Sequence, residues 1–150
     1  MAGNYQLICS ISLLVILLIA TWTDLQSRRI PNRLILIGLV FGLAMCSFEV
    51  VKGLTVGGSR LAACLLAAGA HWLPYYYGKM GAGDVKLAGV IGLLLGWRHW
   101  GNYLGCYGGV LGITSLIVLC LPKGCRVHSL PLAPLMCGAY LLYLLQLIRL

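Results

Sequence analysis

Acidic side chains are almost missing from this chain: Asp24, Glu49 and Asp84 are the only three in 150 residues, against eleven lysines and arginines. Charged residues make up 9% and hydrophobic ones 61%, which excludes a soluble domain, whose surface needs far more polar cover. A dense basic tract is missing too. The net charge of +8 comes from the scarcity of acids, with Lys and Arg scattered between apolar stretches. That is a pattern of membrane topology and argues against nucleic-acid binding. The seven cysteines are odd in number, scattered, and form no Cys-x-x-Cys pair, so they make a poor disulfide framework and are read as small buried hydrophobes. No internal repeat, linker or low-complexity tract stands out. The first apolar segment has neither a basic n-region nor a small-residue cleavage pattern before Asp24, so it is expected to be retained.

What is present is a run of six apolar segments, at about residues 5–23, 34–48, 61–77, 85–97, 100–121 and 130–148. The expectation is an all-α, polytopic bundle of about six transmembrane helices forming one membrane-embedded domain over residues 1–150. Spanning the hydrocarbon core takes ~20 residues, with ~17 a practical lower bound. The second and fourth segments therefore need turns from their flanks, residues 31–33 and 81–86, with basic side chains snorkelling. With both termini outside, Arg28, Arg29, Arg33, Lys79, Lys86, Lys123 and Arg126 share one face, and Lys52, Arg60, Arg98 and Arg149 the other. The positive-inside bias makes the first face cytoplasmic. Asp24 and Asp84 then lie at that same face. Small residues four apart (Gly38 and Gly42, Gly92 and Gly96, Gly105 and Gly109, Gly108 and Gly112) predict close helix packing.

Two motifs carry chemistry. The first is Asp24-Leu25-Gln26-Ser27-Arg28-Arg29-Ile30-Pro31-Asn32. Pro31 disfavours helix at Ile30 and suits the first turn of a new one, which holds Asp24 near a helix end and close to water. On its own, Asp24 is equally a partner for Arg28 in an i,i+4 ion pair. The second is Gly81-Ala82-Gly83-Asp84-Val85-Lys86-Leu87. Its glycines allow backbone conformations closed to other residues and close approach of another chain; alternatively, Asp84 caps the following helix. A carboxylate at the edge of a spanning segment is costly and usually marks a working site. Two carboxyl groups sharing a site cannot both ionise easily, so one acts as base while the other donates a hydrogen bond.

Taken together, the pattern of Asp, five residues, Ile-Pro-Asn and a later Gly-x-Gly-Asp-Val-Lys-Leu resembles the type IV prepilin peptidases, polytopic aspartic proteases of the Gly-x-Gly-Asp class. The Pro131-Leu132-Ala133-Pro134 stretch is similar to the Pro-rich start of that family's last helix. The resemblance implies that Asp24 and Asp84 are the catalytic pair, with Gly81, Gly83, Pro31, Asn32 and Lys86 shaping the site, and that neither a cofactor nor a metal is needed. The implied partners are prepilin or pseudopilin precursors, each with a short basic leader before a hydrophobic helix, cleaved at the cytoplasmic face of a bacterial inner membrane. The match is nearest to the short, core-only members. Larger relatives add an extension bearing Cys-x-x-Cys motifs and N-methylate the new terminus, so methyltransferase activity is not expected here.

Other polar residues are given structural roles. Cys120, Cys125 and His128 cluster but lack a fourth ligand and ordinary zinc spacing. Tyr75, Tyr76, Tyr77, Trp97 and Trp100 read as an interfacial belt. Glu49, near Lys52, needs only an ion pair or water, and Lys86 is expected to point away from Asp84 and snorkel. The rival functions are a small ion- or proton-coupled transporter subunit and a non-enzymatic pilus or secretion assembly scaffold.

Overall fold

The computed structural model describes residues 2–52, 56–78, 80–120 and 131–149, with side chains omitted at 2–5 and 56–57. Five helices follow in order: α1 (Ala2–Ser27), α2 (Asn32–Val51), α3 (Val56–Tyr76), α4 (Ala82–Cys120) and α5 (Leu132–Arg149). No strand occurs among the described residues. Four helices are long and apolar enough to cross a membrane: α1, α2, α4 and α5. α3 falls outside that group because Arg60, His71 and Pro74 interrupt its apolar run.

The expectation of about six spans is more than the structure shows, which is five helices, four of them long and apolar enough to cross; α3 accounts for one missing span and a merger for the other. The fourth and fifth apolar segments are joined without a loop inside α4, which departs from helical geometry at Gly96 (φ 72°, ψ 168°). That region of backbone space is essentially reserved for glycine. The break divides α4 into a limb at 82–95 and a limb at 97–120.

The first limb is the centre of the fold. From Leu87 to Gly96 every residue is buried, as expected of a helix that is apolar all round. Around it pack Leu13, Leu17 and Ala20 of α1, Leu34 and Ile35 of α2, and Met136, Ala139 and Tyr140 of α5. The large apolar side chains on the outside, such as Leu18, Ile37, Leu65 and Ile117, suit a lipid-facing surface.

Glycines set how closely the neighbours approach this limb. A methyl group on Gly38 would stand 2.7 Å from Val90 Cγ1, one on Gly42 2.6 Å from Leu93 Cδ2, and one on Gly92 2.5 Å from the Ala63 carbonyl. The packing expected of Gly38, Gly42 and Gly92 is therefore present. At Gly105, Gly108, Gly109 and Gly112 it is not: nothing described lies within 4 Å of where a methyl would go. That face of the second limb looks outward, so the small-residue spacing there serves no packing among the described residues.

Two antiparallel contacts fix the register of α3 against the central limb. Gly92 sits on Ala63 and Ala67, and Gly89 on Cys64 and Ala68. The same register brings His71 level with Asp84. The Tyr107 ring of the second limb lies 5.7 Å from His71, so the chain has doubled back after Gly96. Tyr107 stacks on Tyr103, which meets Tyr140, which stacks on Tyr143. These four buried tyrosines weld the second limb to α5.

Candidate active site

Asp24 stands in the last turn of α1, which ends at Ser27. The backbone N–H of Arg28 donates to the Asp24 carbonyl at 2.9 Å, and Arg28 takes a left-handed φ of 51° to leave the helix. Pro31 is the extended residue preceding α2 (φ −62°, ψ 128°). Its carbonyl accepts from the N–H groups of Leu34 at 3.0 Å and Ile35 at 3.4 Å. The short turn between Asp24 and Asn32 follows from this: a proline that cannot continue α1 but can start α2.

The Asp24 carboxylate is buried, 7% exposed, and points across the bundle. Its Oδ2 accepts the backbone N–H of Ala133 at 3.2 Å, in the first turn of α5, where helix N–H groups lack helical partners and the helix dipole favours negative charge. Pro131 and Pro134 have no N–H of their own, which leaves Ala133 as one of few donors at this terminus.

Asp84 occupies the first turn of α4 and is half-buried. Its Oδ2 accepts the N–H of Gly81 at 3.2 Å, while the Gly81 carbonyl accepts from the N–H of Asp84 at 3.1 Å. The side chain thus reaches back to the residue before the helix, the half of a capping box that Glu or Gln usually fills. Both glycines of the motif are explained by contact. A methyl on Gly81 would lie 3.1 Å from Asp84 Oδ2, and one on Gly83 3.2 Å from Ile30 Cβ. Gly83 therefore lets the turn after α1 lie directly on the start of α4.

This contact brings the two motifs together. Asp24, Arg28, Arg29, Ile30, Asn32, Gly81, Ala82, Gly83, Asp84 and Lys86 line one cleft of about 330 Å³. Asp24 and Asp84 are within electrostatic reach of each other, and His71 is within reach of Asp84. Of the site residues expected from sequence, Asp24, Asp84, Gly81, Gly83, Asn32 and Lys86 line the cleft directly, while Pro31 shapes it through the turn. Lys86 lines the cleft but is turned to α2 and not to Asp84. Its Nζ donates to Asn32 Oδ1 at 3.2 Å and ties the start of α4 to the start of α2.

Four participants were given no role by the sequence, two of them inside its quoted stretches and two outside. Ala133 contributes only a backbone N–H, and Ile30 acts through its contact with Gly83. His71, whose Nδ1 donates to the Ala67 carbonyl at 2.8 Å, and Tyr107 are brought to this level by helix register alone. No group of three or more potential metal ligands occurs among the described residues; Cys125 and His128 lie outside them. Glu49 makes the ion pair that was one of its two expected roles, but buried, 5% exposed, and with Arg60, at the far end of α2.

The same two motifs sit inside a longer match. Residues 11–142 match the type IV leader peptidase family. The chain belongs to that family. Neither a curated protein nor a solved structure gives a significant match. Family membership makes the chain a leader-peptidase-like protease, and its apolar helices agree with a multi-pass membrane protein.

Proposed function

We infer that this leader peptidase is an aspartic endopeptidase, with Asp24 and Asp84 as its catalytic pair. The observation that carries the reading is the single cleft that both residues line, built by Gly83 lying on Ile30. A carboxylate there takes a proton from water, and the hydroxide adds to the scissile carbonyl. The partner carboxyl, holding its proton, donates a hydrogen bond to the carbonyl oxygen as charge develops. Collapse of the adduct returns a proton to the leaving amine. The pair titrates as a unit, so the two roles belong to the dyad and not to one named residue. This chemistry uses no metal, and cleavage is expected to run unchanged in chelator.

The substrate class is a prepilin or pseudopilin precursor, a short leader followed by a hydrophobic helix. The cleft lies at the end of the bundle where α1, α2 and α4 meet, suited to a peptide bond just outside the bilayer. Its own cations, Arg28, Arg29 and Lys86, do not attract a basic leader. In topology, α3 crosses despite its polar interruptions and the two limbs of α4 are separate crossings, giving six passes with both termini outside and the cleft at the cytoplasmic face of a bacterial inner membrane, in keeping with the positive-inside bias.

Co-expression with a panel of prepilin precursors tests this. The wild-type chain is expected to shorten at least one precursor, and Asp24→Ala and Asp84→Ala to shorten none while remaining membrane-inserted. Cleavage at the normal rate by either variant would rule out the paired-acid mechanism.

A further inference from the structure

The mechanism leaves one buried ion pair unused. Arg60 of α3 and Glu49 of α2 are 2% and 5% exposed, at the end of the central limb away from the cleft. Arg60 Nε donates to Glu49 Oε2 and Nη2 to Glu49 Oε1, each at 2.8 Å. Nη2 also donates to Gln6 Oε1 at 3.2 Å. Nη1 donates to the Leu93 carbonyl at 3.3 Å and to the Leu94 carbonyl. A guanidinium has five N–H donors, and these contacts occupy all of them.

The two carbonyls explain why the group is there. Where the central limb stops at Gly96, its last carbonyls lose the N–H partners that a continuing helix would supply. Inside a bilayer, such groups must be satisfied by protein. Arg60 satisfies two of them and places positive charge at the negative end of the helix dipole, and Glu49 neutralises that charge. Gly96 makes room for it: a methyl there would stand 3.2 Å from Arg60 Cγ. The other end of this same limb carries Asp84, ~15 Å away at 1.5 Å rise per residue.

We propose that Arg60, held by Glu49 and Gln6, is a positioning residue for Asp84. It pins the height and rotation of the central limb and so sets where Asp84 meets Asp24. α1 supplies Gln6 to this clamp and Asp24 to the cleft, and α2 supplies Glu49 to the clamp and Asn32 to the cleft. A shift of the limb against those helices is therefore a shift of one carboxylate against the other. The proposal rests on the reading of Asp24 and Asp84 as the catalytic pair.

Arg60→Met alone strands the Glu49 carboxylate in the bundle and is prone to misfold. The informative variant is Arg60→Met with Glu49→Leu, which removes both charges while keeping the volume. With a purified precursor, its kcat is expected to fall about 100-fold, the scale of a 1 Å misplacement, with KM within about twofold. Arg60→Lys, which keeps a donor for the carbonyls, is expected to recover part of that loss. A second readout needs no activity. Ile30→Cys with Gly83→Cys places two thiols across the contact between the turn and the limb, with Cβ atoms 3.2 Å apart, just under the ~3.5–4.5 Å of a disulfide, so the turn moves out by a few tenths of an ångström to join them. Oxidative linkage, followed by mass spectrometry of the joined peptides, is expected to form readily and to slow at least about tenfold when Arg60→Met and Glu49→Leu are added. Unchanged linkage together with unchanged kcat would overturn the proposal. Slowed linkage in a protein that cleaves no precursor would leave the clamp standing and overturn the peptidase reading instead.

Discussion

Asp24 and Asp84 differ in what they hold, and their removal should differ accordingly. Asp24 Oδ2 accepts the N–H of Ala133, and both residues are buried, Ala133 being 0% exposed. Asp24→Ala leaves that N–H without its acceptor on a residue that has no exposed surface, a cost of about 1–3 kcal/mol. It also removes negative charge from the positive end of α5, worth roughly 0.3–1 kcal/mol more. Asp84 accepts from the N–H of Gly81 in an exposed turn, where water replaces it, so Asp84→Ala should cost about 1 kcal/mol, as for the loss of a helix cap. Asp24→Asn keeps an oxygen for Ala133 and should lie near Asp84→Ala. Cys9, Cys46 and Cys137 are buried, so thermal unfolding in detergent can be followed with a thiol-reactive dye. The expected order of melting temperature is wild type, then Asp84→Ala with Asp24→Asn, then Asp24→Ala. If Asp84→Ala unfolded at or below Asp24→Ala, or if Asp24→Asn fell as far as Asp24→Ala, the assignment of Asp24 as the anchor of α5 would be refuted.

Gly96→Ala should destabilise by about 1–3 kcal/mol, because its φ of 72° is hostile to a side chain; the dye assay reads it, and an unchanged melting temperature would contradict the break. Gly83→Ala pushes a methyl against Ile30 and should cost about 1–3 kcal/mol through overpacking, with cleavage falling further than Gly138→Ala, a site with nothing within 4 Å, allows. For Lys86 and Asn32, a double-mutant cycle of Lys86→Met and Asn32→Leu should give a coupling of about 0.5–1.5 kcal/mol in unfolding, the scale of a hydrogen bond. Zero coupling would mean the two side chains do not hold each other.

The motifs in the sequence pointed to the cleft because they are local: Pro31 fixes the turn after Asp24, and the glycines around Asp84 declare a close approach. What they approach was not legible. Ile30 reads as one more apolar residue until the turn is seen lying on Gly83, and Ala133 contributes a backbone group that no side-chain pattern announces. His71 and Tyr107 reach the site only through the register of α3 and the return of the chain after Gly96. That return was hidden as well. The residues around Gly96 read as a short span and a following loop, whereas the reversal is made by a single backbone torsion. Glu49 and Arg60 were separable by position but not joinable, since a pairing between two helices depends on how far α3 slides along α2. The glycine pairs show the converse failure. Gly38 with Gly42 and Gly105 with Gly109 share one spacing, yet one pair meets the core and the other faces outward.

Whether Asp24 and Asp84 act as one unit is measured directly by cleavage of a purified precursor by Asp24→Asn, Asp84→Asn and the double Asn variant. Each single variant is expected to lose essentially all turnover while staying folded, and the double variant to be no worse than either single one, as for groups that work together. Substantial turnover by either single variant, or a double variant whose loss is the product of two partial losses, would contradict it.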